Sequence, residues 1–385
     1  MRKYKIPKNE TTSPTEKALK VLAILLVLFA TFVVMVYATA LWITQPPEVS
    51  QAVARTVSEA VVDLSVDQAP SETPAVTSGE TIYLPAPLPV EEQDRRRDVF
   101  SVLITGEDDG FGGPDVIMVA LFDQPRGTLD ILSIPRDTVV NVPWGLRKIN
   151  SIQHLHHLLP VQHPHYIYAM QSEVAKLIGY YTDFWVTLDL DGFIELVDAV
   201  GGVTFDVPQR MSYRDPYQNL HIDLHPGEQH LDGYRAMQLV RYRRYADGDI
   251  QRNRVQHAFL GALSEQMLRA STLFAVDELA RVFRDNVETN MNLRTLAFFG
   301  YELLRLSPEN IRFHAVDRSI ANISDSVNRI SYVTLFPEPW VALINAYMNP
   351  FMQDIRVEQL EILTRNQDGA FFTTNGAPFS NNWAR

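Results

Sequence analysis

The sequence predicts an α/β fold, a central sheet covered by helices, carried behind one N-terminal transmembrane helix. Three observations predict it. Residues 99–105 and 116–134 hold near-continuous apolar runs separated by Gly- and Asp-containing turns, the pattern of strands buried on both faces. Residues 184–207 then read strand, helix, strand, which is α/β order. Residues 21–43 form an uncharged apolar run behind a basic N-terminus.

The chain has 385 residues, enough for one large or two ordinary domains, and is 46% hydrophobic, enough for a real core. Its net charge of −12 argues against a general nucleic-acid binder, which needs a basic footprint. It has no cysteine, which excludes disulfides, thiol catalysis and thiolate metal sites and fits either side of a membrane.

Residues 1–20 carry Arg2, Lys3, Lys5, Lys8, Lys17 and Lys20 and are expected to stay in the cytoplasm. The apolar run at 21–43 spans a ~30 Å hydrocarbon core as a helix rising about 1.5 Å per residue. It is longer than the apolar region of a usual signal peptide, so a retained anchor is expected over cleavage after Ala38 or Ala40. Everything past Thr44 is therefore expected outside the cell. Residues 44–97 contain Pro46, Pro47, Pro70, Pro74, Pro85, Pro87 and Pro89 and read as a stalk. Residues 98–350 are expected as the folded domain, with its motifs in 99–270, and 351–385 as a polar tail.

Within the domain, strands are expected over 99–105, 116–122 and 128–134, with a hairpin turn between the last two. Arg136 and Asp137 project from the end of the third strand, where open α/β sheets place their sites. A helical stretch follows from Lys148 to Leu159. His154, His156, His157, His163 and His165 cluster loosely, but no two are spaced i, i+4 and prolines interrupt the run, so a surface helix and loop is preferred over zinc. Residues 171–179 and 192–200 read as helices, 184–189 and 203–207 as strands, and 213–223 as a polar loop. Pro226-Gly227 turns toward a helix over 231–240, a second helix covers 255–267, and 271–306 is expected to be mostly helical, as is 341–348.

Between those two central helices lies Arg241-Tyr-Arg-Arg-Tyr-Ala-Asp-Gly-Asp-Ile-Gln-Arg-Asn-Arg-Val-Gln256. Five arginines at one junction of an acidic protein call for an anion, since guanidinium forks suit phosphate or carboxylate. Asp247 and Asp249 either offset that charge or hold a divalent cation. A self-neutralising solvated loop is the competing reading of this stretch alone.

Ser133-Ile-Pro-Arg-Asp-Thr138, Lys148-Ile-Asn150, Leu196-Val-Asp-Ala-Val-Gly-Gly-Val203, Leu231-Asp-Gly233 and Arg241-Tyr-Arg243 followed by Asp249 and Arg252 together resemble the LytR–CpsA–Psr family. Order and spacing match over about residues 99–270, with a weaker match through Val287-Glu-Thr-Asn290 to about residue 351. The resemblance implies a central mixed β-sheet sandwiched by helices, with a hydrophobic pocket for a polyprenyl chain. It implies transfer of an anionic glycopolymer, such as teichoic acid or capsule, from a polyprenyl-pyrophosphate carrier to a peptidoglycan acceptor. It further implies that Arg136, Lys148, Arg241, Arg243, Arg252 and Gln256 hold the pyrophosphate and that Asp115 and Asp249 position Mg²⁺. Two positions depart from the family pattern: Gly113-Pro-Asp-Val116 replaces Arg-Ser-Asp-Thr, and Val255 stands where an arginine usually precedes Gln256.

The chemistry agrees with these implications. A pyrophosphate beside an oily tail needs forked cations, a hard metal on carboxylates and an apolar trough. A sugar hydroxyl would attack phosphorus and polyprenyl phosphate would leave, with Arg241 and its neighbours neutralising the developing charge. Asp137 and Asp115 are both candidates for orienting or deprotonating that hydroxyl. The rivals are a lipid-phosphate binder or pyrophosphohydrolase using the same site, and a transcriptional attenuator, which an acidic domain placed outside the membrane disfavours.

Overall fold

The three apolar runs at the start of the domain become the centre of a sheet in the computed structural model, which describes residues 44–47, 95–106, 113–142, 145–155, 165–216, 220–246, 249–267, 276–327 and 329–377. The anchor run at 21–43, nearly all of the stalk, and His156, His157 and His163 lie outside the described residues. Among the described residues no helix is long and apolar enough to cross a membrane.

The chain divides into two compact units. In the first, Arg294 donates to Gln45 at 2.7 Å, and Asn292 caps the helix Leu293–Leu303 by accepting from the Thr295 N–H at 2.9 Å. The second holds everything described below.

Strands β1 (Val99–Gly106), β2 (Val116–Asp123) and β3 (Thr128–Ser133) pair antiparallel in sequence order. Further along the chain come β4 (Val139–Val142) and β5 (Gly145–Lys148), helix α1 (Ile152–Leu155), α2 (Tyr166–Ile178), β6 (Phe184–Leu188) and α3 (Leu190–Ala199). β6 returns parallel to β1, and the later strands β11 (Val287–Thr289) and β12 (Ile311–His314) close the two edges. The result is a six-stranded mixed sheet in the order β11-β6-β1-β2-β3-β12.

Strand alternation assigns the two faces. Leu103, Ile117, Val119, Leu121, Leu132 and Trp185 turn to one core, where Ile167, Met170, Val174 and Leu177 of α2 cover them. The alternate residues Ile104, Val116, Met118, Ser133 and Leu188 line pockets on the site side of the sheet. A second core lies among α3, helix α4 (Gly233–Arg241), helix α5 (Asp249–Met267) and the short strands β7 (Val203–Val207), β8 (Met211–Asp215), β9 (Leu220–Leu224) and β10 (Gly227–Leu231). Aspartates start α3 and α4: Asp189 accepts from the Gly192 N–H at 2.6 Å and Asp232 from the Arg235 N–H at 2.8 Å.

Topology gathers one edge of the sheet. β1, β3 and β6 all end there and β2 begins there, as the register pairs Gly106 with both Val116 and Leu188, and Met118 with Ser133. Gly106, Asp115, the turn after β3 and Asp189 are thereby brought to a single rim.

Several local expectations change. Residues 213–215 and 220–223 belong to the antiparallel strands β8 and β9 rather than to a loop, with buried Met211, Leu220, Ile222 and Leu224 alternating with solvated residues. Pro226-Gly227 leads into β10, so α4 starts at Gly233. Lys148 ends a strand, and the helical part after it is a 3-10 turn, Ile149–Ser151, followed by α1. The 271–306 region is broken by β11, whose Thr289 donates to the Trp185 carbonyl at 2.6 Å while Asn290 accepts from the Trp185 N–H at 2.9 Å. Part of the stretch set apart as a polar tail packs into the first core through Ile355, Leu360 and Ile362, and strand β13 (Leu363–Arg365) pairs with β14 (Phe371–Thr373).

Candidate active site

Backbone hydrogen bonds fix the turn after β3. Thr138 folds back on Pro135, its N–H at 2.9 Å and its Oγ1 at 2.6 Å from the Pro135 carbonyl. The Ile149 N–H donates to Thr138 at 2.9 Å and the Asn150 N–H to Arg136 at 3.2 Å. These bonds tie Ser133-Ile-Pro-Arg-Asp-Thr138 to Lys148-Ile-Asn150. Lys148 Nζ reaches Asp137 Oδ1 at 2.9 Å and lines neither of the two pockets at the rim described below.

Asp115 sits at the centre. One carboxylate oxygen accepts from Arg136 and the other from Arg243. Burial raises the Asp115 pKa, but the charges of Arg136, Arg243 and Arg252 outweigh it and hold the carboxyl below its usual range. The loop reaches this position through Gly113, whose φ is +74° and whose added Cβ would lie 2.1 Å from the Asn150 carbonyl oxygen. An arginine at 113 does not fit this backbone without a shift of the loop.

The arginine stretch leaves helix where α4 ends. Tyr242 takes extended φ and ψ of −68° and 128°, and Tyr242 and Tyr245 pack edge to face with centroids 5.0 Å apart in the second core. The buried tyrosines leave Arg243 directed at Asp115, while Arg244 lies over the Tyr213 ring at 4.7 Å on the exposed side. On α5, Arg252, Gln256 and Leu260 follow i, i+4, i+8 spacing and face the pockets. Val255, Phe259 and Leu263 follow the same spacing toward the second core. Val255 is thus a core residue here, and Arg254, exposed on α5, lies off the pocket face. Gln256 donates from Nε2 to the Val240 carbonyl at 2.8 Å, joining α5 to the end of α4.

Two pockets meet at this rim. One, about 990 Å³, runs between the sheet and α3–α5 and is lined by Ile104, Leu188, Leu190, Phe193, Val240 and Leu260, with Arg241, Arg243 and Arg252 at its mouth. The other, about 610 Å³, is lined by Ser133, Pro135, Arg136, Asp137, Val316 and Val333. Asp115, Val116, Met118, Arg252 and Gln256 line both. The arrangement suits an amphiphile with an apolar chain and a multiply charged anionic head, approached by a second reactant from the other side.

The described side chains bring together Asp115, Arg136, Asp137, Arg241, Arg243, Arg252 and Gln256, with Lys148 behind Asp137. Asp249 is the first residue of α5, but its side chain and Asp247 lie outside the described residues. Mg²⁺ takes one or two carboxylates plus substrate phosphate oxygens. Asp115 offers one such carboxylate at the junction of the pockets, and among the described residues no group of three His, Asp or Glu is placed to hold a metal. The apolar wall was missed in the sequence: Phe193 and Leu260 read only as helix residues, although Leu260 stands two helical steps of four from Arg252.

The family model of the LytR_cpsA_psr family matches residues 66–338, and the chain belongs to that family. It is similar to the polyisoprenyl-teichoic acid–peptidoglycan teichoic acid transferase TagV of Bacillus subtilis (strain 168), at 30% identity over 218 residues, 53% of this chain and 52% of TagV. It is 37% identical over 171 residues to the probable cell wall biosynthesis protein LcpB of Corynebacterium glutamicum, 44% of this chain and 38% of LcpB. The chain thus spans about half or less of the length of these relatives. The crystal structure of B. subtilis TagV superposes with a TM-score of 0.53 at 25% identity, covering 65% of this chain and 96% of that one. TagT bound to LI-WTA shares the fold, with a TM-score of 0.51 at 20% identity over 72% of this chain and 99% of that one.

Proposed function

We propose that the protein is a membrane-anchored transferase of cell-wall assembly, moving an anionic glycopolymer from a polyprenyl-pyrophosphate carrier to a hydroxyl of peptidoglycan. The observation that carries this reading is the apolar pocket of about 990 Å³ opening onto Arg241, Arg243 and Arg252. TagV, named for such a transfer, supports it.

In this reading the prenyl chain lies along Ile104, Leu188, Phe193, Val240 and Leu260. The pyrophosphate takes the guanidiniums of Arg136, Arg241, Arg243 and Arg252, of which Asp115 bonds Arg136 and Arg243 and so preorganises those two before substrate arrives. The acceptor hydroxyl enters through the second pocket and attacks the phosphorus that bears the glycopolymer. The new O–P bond forms as the bond to polyprenyl phosphate breaks, and the hydroxyl proton passes to a carboxylate. Asp137 is the better base, because both Asp115 oxygens are engaged by guanidiniums. Asp115 and Asp249 would hold Mg²⁺, which supplies charge neutralisation at the phosphates. The apolar run at 21–43 would keep the domain at the outer membrane surface where a lipid carrier is found.

The test is the lipid that the full-length protein carries out of the membrane. Mass spectrometry of gently extracted protein should find a polyprenyl phosphate or pyrophosphate, depleted when Arg252 is changed to Ala. A bound lipid without phosphate, or equal loading of both proteins, would contradict the reading.

A further inference from the structure

The reading above gives no role to Ser133 or His257, yet the two meet at the wall of the second pocket. Ser133 is the last residue of β3, on the face opposite Leu132, and it lines the second pocket beside Arg136 and Asp137. Its Oγ lies 2.5 Å from Nε2 of His257, which follows Gln256 on α5. The imidazole packs against the Phe313 ring of β12 with centroids 5.8 Å apart. Among the described residues lining that pocket, Ser133 carries the only hydroxyl.

We propose that Ser133, oriented by His257, binds a hydroxyl of the acceptor sugar next to the attacking one in the second pocket, with His257 as a positioning residue acting through it. This rests on the transferase reading above. The hydrogen-bond inventory carries the argument. A serine has one proton and two lone pairs. With His257 in the Nδ1–H tautomer, the Ser133 proton goes to Nε2 and Oγ presents only acceptor capacity to the pocket. Phosphate oxygens at neutral pH have no proton to give it, so Ser133 turns away the head group and receives a donor. A sugar hydroxyl is such a donor, and Arg136 and Asp137 flank the same space. Burial and the nearby His314 push the His257 pKa down to about 4, so the ring is neutral and able to accept. Ser133 makes and breaks no covalent bond; the attacking hydroxyl loses its proton to the carboxylate base as the O–P bond forms.

The experiment combines imidazole nitrogen NMR with transfer kinetics on the full chain. His257 should show the Nδ1–H tautomer, and soluble peptidoglycan strands should shift its signals in the wild type but not in Ser133→Ala. Ser133→Ala and His257→Phe should each raise KM for those strands about tenfold, the loss of one hydrogen bond, while binding of polyprenyl pyrophosphate is unchanged. His257→Gln, which keeps an acceptor atom, should restore most of the effect. An Nε2–H tautomer, signals indifferent to the strands, or an equal loss of lipid binding would overturn the proposal. If the wild type binds strands through Ser133 but transfers nothing, the transferase reading fails while the acceptor site stands.

Discussion

Asp115 organises the mouth of the apolar pocket by bonding Arg136 and Arg243 at once, with Arg252 close by. A charge-assisted contact to phosphate contributes about 1.5–3 kcal/mol. Arg252→Ala should therefore weaken polyprenyl-pyrophosphate binding about tenfold to a hundredfold at fixed salt and Mg²⁺. Arg136→Ala and Arg243→Ala should lose comparably, whereas exposed Arg244 and Arg254 should lose less than about twofold. Equal small losses at all five would mean a diffuse basic loop. Titration gives a second residue-scale expectation. The folded pKa of Asp115 lies below 3.8, so its stabilising charge is complete above that value and lost only as pH falls through the lower one. His257 acts in the same direction over a higher window: its folded pKa near 4 lies below its ordinary 6.5, so the unfolded chain binds the proton first and stability falls from pH 6.5 toward 4. Melting temperatures across that window should fall less steeply in His257→Phe, and parallel curves would contradict the assignment.

At the scale of elements, the motifs make sense as ties between segments. Gly113 lets the Asp115 loop pass under the Asn150 carbonyl, and Gly113→Ala should cost about 1–3 kcal/mol in chemical denaturation with lipid binding reduced in parallel. Wild-type stability in that variant would show that the loop has room to move. The three apolar strands, the β6–α3–β7 order and the two helices around the arginines were legible because long apolar runs and apolar residues at helical spacing dominate their segments. The β8–β9 pair was hidden by His221, Asp223 and other polar residues on its solvated face, since alternation over five residues is a weak signal. The short β11 was hidden because its three residues are held by Thr289 and Asn290 contacts to a strand about a hundred positions earlier. Among the site residues, Arg136, Asp137 and Arg252 announced themselves by charge. Ser133 and Phe193 did not, because only the fold shows which face of a strand or helix meets a pocket.

Across the whole molecule, the sheet brings one rim together and the C-terminal segment closes the opposite core. Leu360 is fully buried against α2 and its neighbours, so Leu360→Ala should destabilise by about 2–5 kcal/mol, and a chain ending at residue 351 should lose cooperative unfolding. A truncated chain that melts like the full one would show the segment to be dispensable. The central claim concerns both pockets acting together, and one assay reads it: purified full-length protein, a polyprenyl-pyrophosphate-linked anionic glycopolymer, and peptidoglycan strands present or absent. The account predicts glycopolymer joined to the strands with polyprenyl phosphate released, both abolished in Arg252→Ala. Release of polyprenyl phosphate that is indifferent to the strands, with no joined product, would contradict it and mark the protein as a pyrophosphohydrolase.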